Sequence, residues 1–191
     1  MNRPRVDVSI HEASKSEVPR LRELVLAAMN SDPTDPYLAS FRHEISVGPS
    51  PAEHFVEYAV LVNGELAARC QINLQPQPDD INGYGPDASE LYMNERLATL
   101  AGDLVAPAFR GLGLQDKMVH FRLRLLTSLN FTYVMCGILV GNDVSRDNYC
   151  RLGFRPIGEK SIDWGESAVG DRIKTVVLYG LRLSDLEVPM Q

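Results

Sequence analysis

Apolar and polar positions along the chain change period several times, and each change predicts an element. Val6 to His11 reads as a first strand. Ser14-Lys-Ser-Glu17 has the form of a capping box, and Val18, Leu21, Leu24, Val25 and Ala28 then recur three or four apart, so a helix with one buried face is expected there. The break Asp32-Pro-Thr-Asp-Pro36 leads to a second short helix near Tyr37 to Val47. Tyr58 to Val62 and Glu65 to Leu74 flank Asn63-Gly64, which predicts a hairpin closed by a two-residue turn. Gln75 to Asn94 carries Pro76, Pro78, Asp79, Asp80, Gly83, Gly85 and Pro86 without periodicity, and reads as an insertion loop with no core of its own.

The second half is more strongly patterned. Leu97 to Val105 is an apolar-rich strand stopped by Pro107. Leu112 to Asn130 repeats apolar residues at Leu114, Met118, Phe121, Leu125 and Leu129, the period of an amphipathic helix. Tyr133 to Val140 is a strand, and Val144 to Leu152 a short helix between an Asn142 or Asp143 cap and Gly153. Arg155 to Ser161 and Lys174 to Leu183 close the chain as strands, joined through Asp163 to Gly170. No internal repeat or linker divides the sequence, so residues 1–191 read as one mixed α/β domain.

Between the apolar strand and the long helix lies Arg110-Gly-Leu-Gly113. Two glycines allow a tight turn with uncovered amides, and those amides join the unpaired N–H groups at the positive end of the helix. Such a junction suits a phosphate-bearing ligand. The alternative is that Gly111 and Gly113 only shape the connection. The loop lacks the third glycine of a dinucleotide fingerprint and the Lys-Ser/Thr pair of a P-loop, which points away from NAD and nucleoside triphosphates.

The segment Asn142-x-x-Ser145-x-x-x-Tyr149-x-x-x-Gly153-Phe154 follows the next strand. Together with Val105-x-Pro107 and Arg110-x-x-Gly113, in this order and separation, it resembles the Gcn5-related N-acetyltransferase (GNAT) family. The resemblance covers Leu97 to Phe154, and the flanks by element order alone. It implies an α/β (α+β) fold: a mixed, mostly antiparallel sheet of about seven strands flanked by about four helices. It also implies acetyl-CoA as cosubstrate, no metal, and transfer of an acetyl group to a primary amine of a small molecule or peptide. Pantetheine is expected along Leu104 and Val105, opposite Asn142 and Ser145, with the pyrophosphate on Arg110, Gly111, Leu112, Gly113, Leu114 and Gln115. Tyr149, at the family's tyrosine position, would be the general acid for the thiolate, with a core tyrosine packing the short helix as the alternative, and the amide of Val105 or its neighbour would hold the thioester carbonyl. Gly102 is read as a bulge that opens its strand.

Two departures stand out. Gln115 occupies the place of a family Gly or Ala. Gly137, five residues before Asn142, offers no side chain where family members often carry a glutamate base; Asp103, acting through water, is the candidate base, with a structural carboxylate as the alternative. The missing glutamate keeps a second reading open, an acyl-CoA-binding or regulatory module with little or no turnover.

Composition narrows the classes further. A chain of 191 residues with 45% hydrophobic and 23% charged residues is ordinary for a globular domain. No apolar run is long enough for a membrane span and no secretory h-region follows Met1-Asn-Arg-Pro-Arg5, which predicts a cytoplasmic protein without a membrane partner. Cys70, Cys136 and Cys150 lack metal-ligand spacing and read as core residues. A net charge of −6 argues against nucleic-acid binding. Lys117, His120, Arg122 and Arg124 are read as a solvated helix face. The acceptor is expected between the first helices, the 75–94 insertion and the 163–170 loop, where Asp79, Asp80, Asp87, Glu90, Glu95, Asp163, Glu166 and Asp171 suit a cationic amine or are ordinary solvated surface. Trp164 reads as a lid, a plug of the core edge, or a contact in a homodimer, an assembly left open.

Overall fold

The computed structural model describes residues 6–31, 55–163 and 173–186. The helix expected at 37–47 and most of the 163–170 loop, with Trp164, Glu166 and Asp171, lie outside the described residues. Seven strands form one sheet: β1 (Val8–Glu12), β2 (Phe55–Val62), β3 (Glu65–Asn73), β4 (Leu97–Val105), β5 (Tyr133–Leu139), β6 (Arg155–Asp163) and β7 (Ile173–Arg182), in the order β1-β2-β3-β4-β5-β7-β6. All neighbours run antiparallel except β4 and β5. The described α-helices are α1 (Val18–Ser31), α2 (Pro78–Ile81), α3 (Pro86–Asn94), α4 (Leu114–Ser128) and α5 (Asp143–Arg151). The α/β expectation of a mixed, mostly antiparallel seven-stranded sheet therefore holds.

Local chemistry explains several elements. The Ser14 amide and hydroxyl both donate to Glu17 Oε2 ahead of α1, at 2.9 and 2.8 Å, satisfying donors that the helix leaves exposed. Asn63 and Gly64 both take positive φ, 51° and 82°, as the two-residue turn between β2 and β3 demands. The α4 helix buries Leu114, Met118, Val119, Leu123 and Leu126 against one face of the sheet, while Leu129 is exposed. The buried stripe is thus turned from the Phe121–Leu125–Leu129 side. Arg122 lies inside it with 0% exposure, which corrects its reading as part of a solvated face. Spacing carries the reason: Leu114, Met118 and Arg122 are four apart and share one face.

The 75–94 segment is also not the loop expected. It folds into α2 and α3, and it buries Ile81, Tyr84 and Ala88 with Leu97, Tyr133, Met135, Val176 and Leu178 on the sheet face opposite α4. A period-based reading fails here because each helix is too short to repeat, and only sheet packing supplies the apolar partner. Gly158 on β6 makes the fit possible. A Cβ there would stand 1.9 Å from the Tyr84 carbonyl oxygen.

Candidate active site

Strands β4 and β5 pair only from Leu97↔Tyr133 to Leu100↔Cys136. Beyond that point they part, and the fork opens beside the N-termini of α4 and α5. Gly102, with φ +65°, lies where the β3–β4 register shifts. A side chain there would collide with Gln71 Oε1 and Arg69 Nη2, at 2.7 and 2.8 Å from its Cβ. This bulge turns Asp103 toward α4 and Leu104 toward Ala28 on the opposite face.

A cavity of about 770 Å³ occupies the fork on the α4 side. Of the residues singled out from sequence, Asp103, Val105, Arg110, Gly111, Gly113, Leu114, Gln115, Asn142 and Ser145 line it. Leu104 faces α1, Leu112 is 41% exposed, and Tyr149 is 3% exposed; none of the three lines the cavity. Phe109, Met118, Gly141, Asp143, Val144 and Asn148 complete the wall and were missed. Met118 and Asn148 could have been found by continuing the faces of Leu114 and Ser145 by one turn.

The glycine turn is shaped as a cradle. Gly111 and Gly113 have φ of +83° and +68°, Gly113 is the N-cap of the fifteen-residue α4, and no atom lies within 4 Å of a Cβ at either position. Facing it, Asn142 Oδ1 accepts from the Ser145 amide and caps α5. Gln115 spans the two helices. Its amide nitrogen donates to Ser145 Oγ at 2.6 Å and its oxygen accepts from Asn148 at 2.5 Å. Asn148 in turn accepts from Arg151. The departure from Gly or Ala at 115 thus replaces open space with a polar bridge between the two motif halves.

Below the cavity lies a buried charge cluster. Arg122 Nη1 and Nη2 approach the two Asp103 oxygens at 2.7 and 2.8 Å. The Tyr149 hydroxyl donates to Asp103 Oδ2 at 2.9 Å and accepts from Arg122 Nη2 at 3.4 Å. Burial first, then the Asp103 charge, pushes the Tyr149 hydroxyl well above its ordinary value. Burial likewise raises the Cys136 thiol, and lifts Cys70 to about 12, so both are unreactive core residues. Among the described residues no group of three or more His, Cys, Asp or Glu is placed to hold a metal ion, and no helix is long and apolar enough to cross a membrane.

No protein-family model and no curated protein matches the sequence. Solved structures do match in shape. The ribosomal-protein-S18-alanine N-acetyltransferase of Escherichia coli superposes with a TM-score of 0.63 at 14% identity, covering 97% of this chain and 99% of the other. An N-acetyltransferase of Staphylococcus aureus gives 0.60 at 14%, with 93% and 99% covered. A chimeric spermidine N-acetyltransferase that includes the Vibrio cholerae enzyme gives 0.61 at 17%, with 93% and 96% covered. With a seven-stranded sheet forked between its parallel pair and a glycine turn opening the long helix, the chain has the fold of the Gcn5-related N-acetyltransferases.

Proposed function

We propose that the protein is an acetyl-CoA-dependent N-acetyltransferase, a single domain that acts on a primary amine of a small molecule or peptide. One observation carries the reading. The fork of the sheet opens into a cleft whose two walls are the Arg110–Gly113 turn at the start of α4 and the Asn142–Ser145 start of α5. The fit to coenzyme A rests on that cleft: a long-helix N-terminus and positive-φ glycines with open space at their Cβ positions suit a pyrophosphate. Arg110 to Gln115 would hold the pyrophosphate, and Val105, Asn142 and Ser145 the pantetheine. When bound, the thioester supplies an activated acetyl group. The structural neighbours named for their acceptors act on a ribosomal-protein alanine and on spermidine, both amines.

The chain's own groups would then act as follows. The Ala106 amide donates to Ala67 O at 2.9 Å, which turns the task of holding the thioester carbonyl onto the Val105 amide. Tyr149 is the proposed acid. It stands one hydrogen bond behind Asp103 in the cleft wall, so its proton must turn from Asp103 toward the thiolate. Arg122 makes that turn affordable by facing both the carboxylate and the phenol oxygen. Of the two roles open to Asp103, the structural carboxylate is supported over the water-mediated base, because the buried Arg122 guanidinium stands within 2.8 Å of both its oxygens and Oδ2 also takes the Tyr149 hydroxyl.

The alternative, an acyl-CoA-binding module without turnover, draws on Gly137, on the engaged Asp103 and on the Gln115 bridge. Thiol release measured with acetyl-CoA and a panel of amines separates the two. Calorimetry with coenzyme A, ATP and NAD tests the cleft itself: binding of ATP or NAD in preference to coenzyme A would overturn both readings.

A further inference from the structure

The fork has a second side, and a residue of the 75–94 segment reaches it. Leu100↔Cys136 is the last pair between β4 and β5, so Gly137 is the first β5 residue past the opening. It is exposed, between buried Cys136 and Ile138. By alternation it faces the same way as Tyr133, Met135 and Leu139, the side covered by α2 and α3 rather than by α4. There a Gly137 Cβ would stand 3.1 Å from Val176 Cγ1, and Tyr84 presents its hydroxyl oxygen 3.6 Å from the same point.

Tyr84 is held firmly in this pose. Its backbone presses on Gly158, Lys160 Nζ stands 4.4 Å over its ring, and the ring belongs to the apolar cluster under α2 and α3. Among the described residues its hydroxyl makes no hydrogen bond, and the oxygen is not one of the fully buried polar atoms, so it stays open to a ligand at the surface of the sheet. An absent side chain on β5 and a hydroxyl with no partner among the described residues therefore meet where β4 and β5 part.

We propose that Tyr84 is the residue that orients the acceptor amine, its hydroxyl oxygen accepting a hydrogen bond from the acceptor N–H in the space that Gly137 leaves. This rests on the acetyltransferase reading and deepens it. An N–H held on Tyr84 turns the nitrogen lone pair toward the fork, where a thioester carbonyl on the cleft side would be reached. The hydroxyl orients and does not abstract a proton: burial and the neighbouring Asp80 charge push it up to about 12. The same Asp80 charge favours arrival of the acceptor as an ammonium ion, which gives one proton to solvent water before the neutral amine, its lone pair freed, is held on Tyr84 and attacks.

Tyr84→Phe keeps the ring, the Lys160 contact and the fit to Gly158, and removes the hydroxyl alone. With the amine that the wild type acetylates fastest, kcat/KM for that amine is expected to fall about 3- to 10-fold, the worth of one hydrogen bond to a neutral group. Affinity for coenzyme A by calorimetry should stay at the wild-type value. Gly137→Ala places a methyl group in the proposed amine position and should raise the amine KM, again with coenzyme A affinity unchanged. A tyrosine that only packs would leave both amine constants alone. Wild-type amine kinetics in both variants would overturn the inference while leaving the acetyltransferase reading intact. Absence of coenzyme A binding in the wild type would overturn that reading and this inference together.

Discussion

Replacing Arg122 by methionine tests whether charge holds the floor of the cleft. Arg122 is 0% exposed and Asp103 9%, and two contacts of 2.7 and 2.8 Å join them. The same guanidinium donates from Nε to the Met118 carbonyl at 3.2 Å and from Nη1 to the Gln71 carbonyl at 3.0 Å. Methionine keeps much of the volume and removes the charge with every donor. Asp103 is then a buried carboxylate left with the Tyr149 hydroxyl as donor. Removing one partner of a buried pair costs about 3–5 kcal/mol. At about 2–4 °C per kcal/mol for a chain of this size, Tm should drop by about 6–20 °C. Asp103→Leu together with Arg122→Met should recover most of that loss, because an apolar pair in place of a buried ion pair is often neutral. Urea denaturation of the wild type, both single variants and the double variant gives the coupling energy directly. A loss under about 1 kcal/mol in the single Arg122 variant, or strictly additive losses in the double, would refute the argument that the pair holds this wall.

The remaining predictions use separate parts of the molecule. Tyr149→Phe should keep the fold and coenzyme A affinity while lowering kcat by about 10²–10⁴-fold, the usual worth of a positioned acid; an unchanged kcat with an amine for which chemistry limits the rate would leave Tyr149 a packing residue. Gly113→Asp places a carboxylate on the cradle, and calorimetry should show coenzyme A binding weakened by at least about 1 kcal/mol through like-charge repulsion. Equal affinity in a folded variant would remove the pyrophosphate from this turn. Glu17 is held down at about 2, from 4.5, first by the Ser14 amide and then by His11 and the Ser14 hydroxyl. Its folded value lies below the unfolded one, so its contribution is complete above about pH 4.5 and is lost as pH falls toward 2. The Tm gap between wild type and Glu17→Gln should therefore close over that window, and a gap independent of pH would count against the capping contact.

The patterned elements of the chain were legible because their signals are local. Strand β4, the turn at Arg110–Gly113, the capped start of α5 and the Asn63-Gly64 hairpin each depend on residues within a few positions of one another, where backbone conformation and cap chemistry act directly. Their order carried the α/β layout, and the family resemblance they support implied much of the cleft wall, including Val105, Arg110, Gly113, Gln115, Asn142 and Ser145. Even the Gly102 bulge could be read, since a glycine inside a strand is otherwise unfavourable.

Tertiary structure decided what depends on neighbours far along the chain. Arg122 and Asp103 are nineteen positions apart, and Tyr149 lies twenty-seven beyond Arg122; that three polar groups would be buried together follows from the bulge and the helix docking, not from any spacing of charges. Tyr84 meets Gly137 and Gly158 because two short helices find their apolar partner only on the assembled sheet. Residues close in sequence constrain one another through backbone geometry, which composition and period report. Partners brought together from separate elements are chosen by packing and by the cost of leaving a buried polar group unsatisfied, and that cost exists only once the fold has formed.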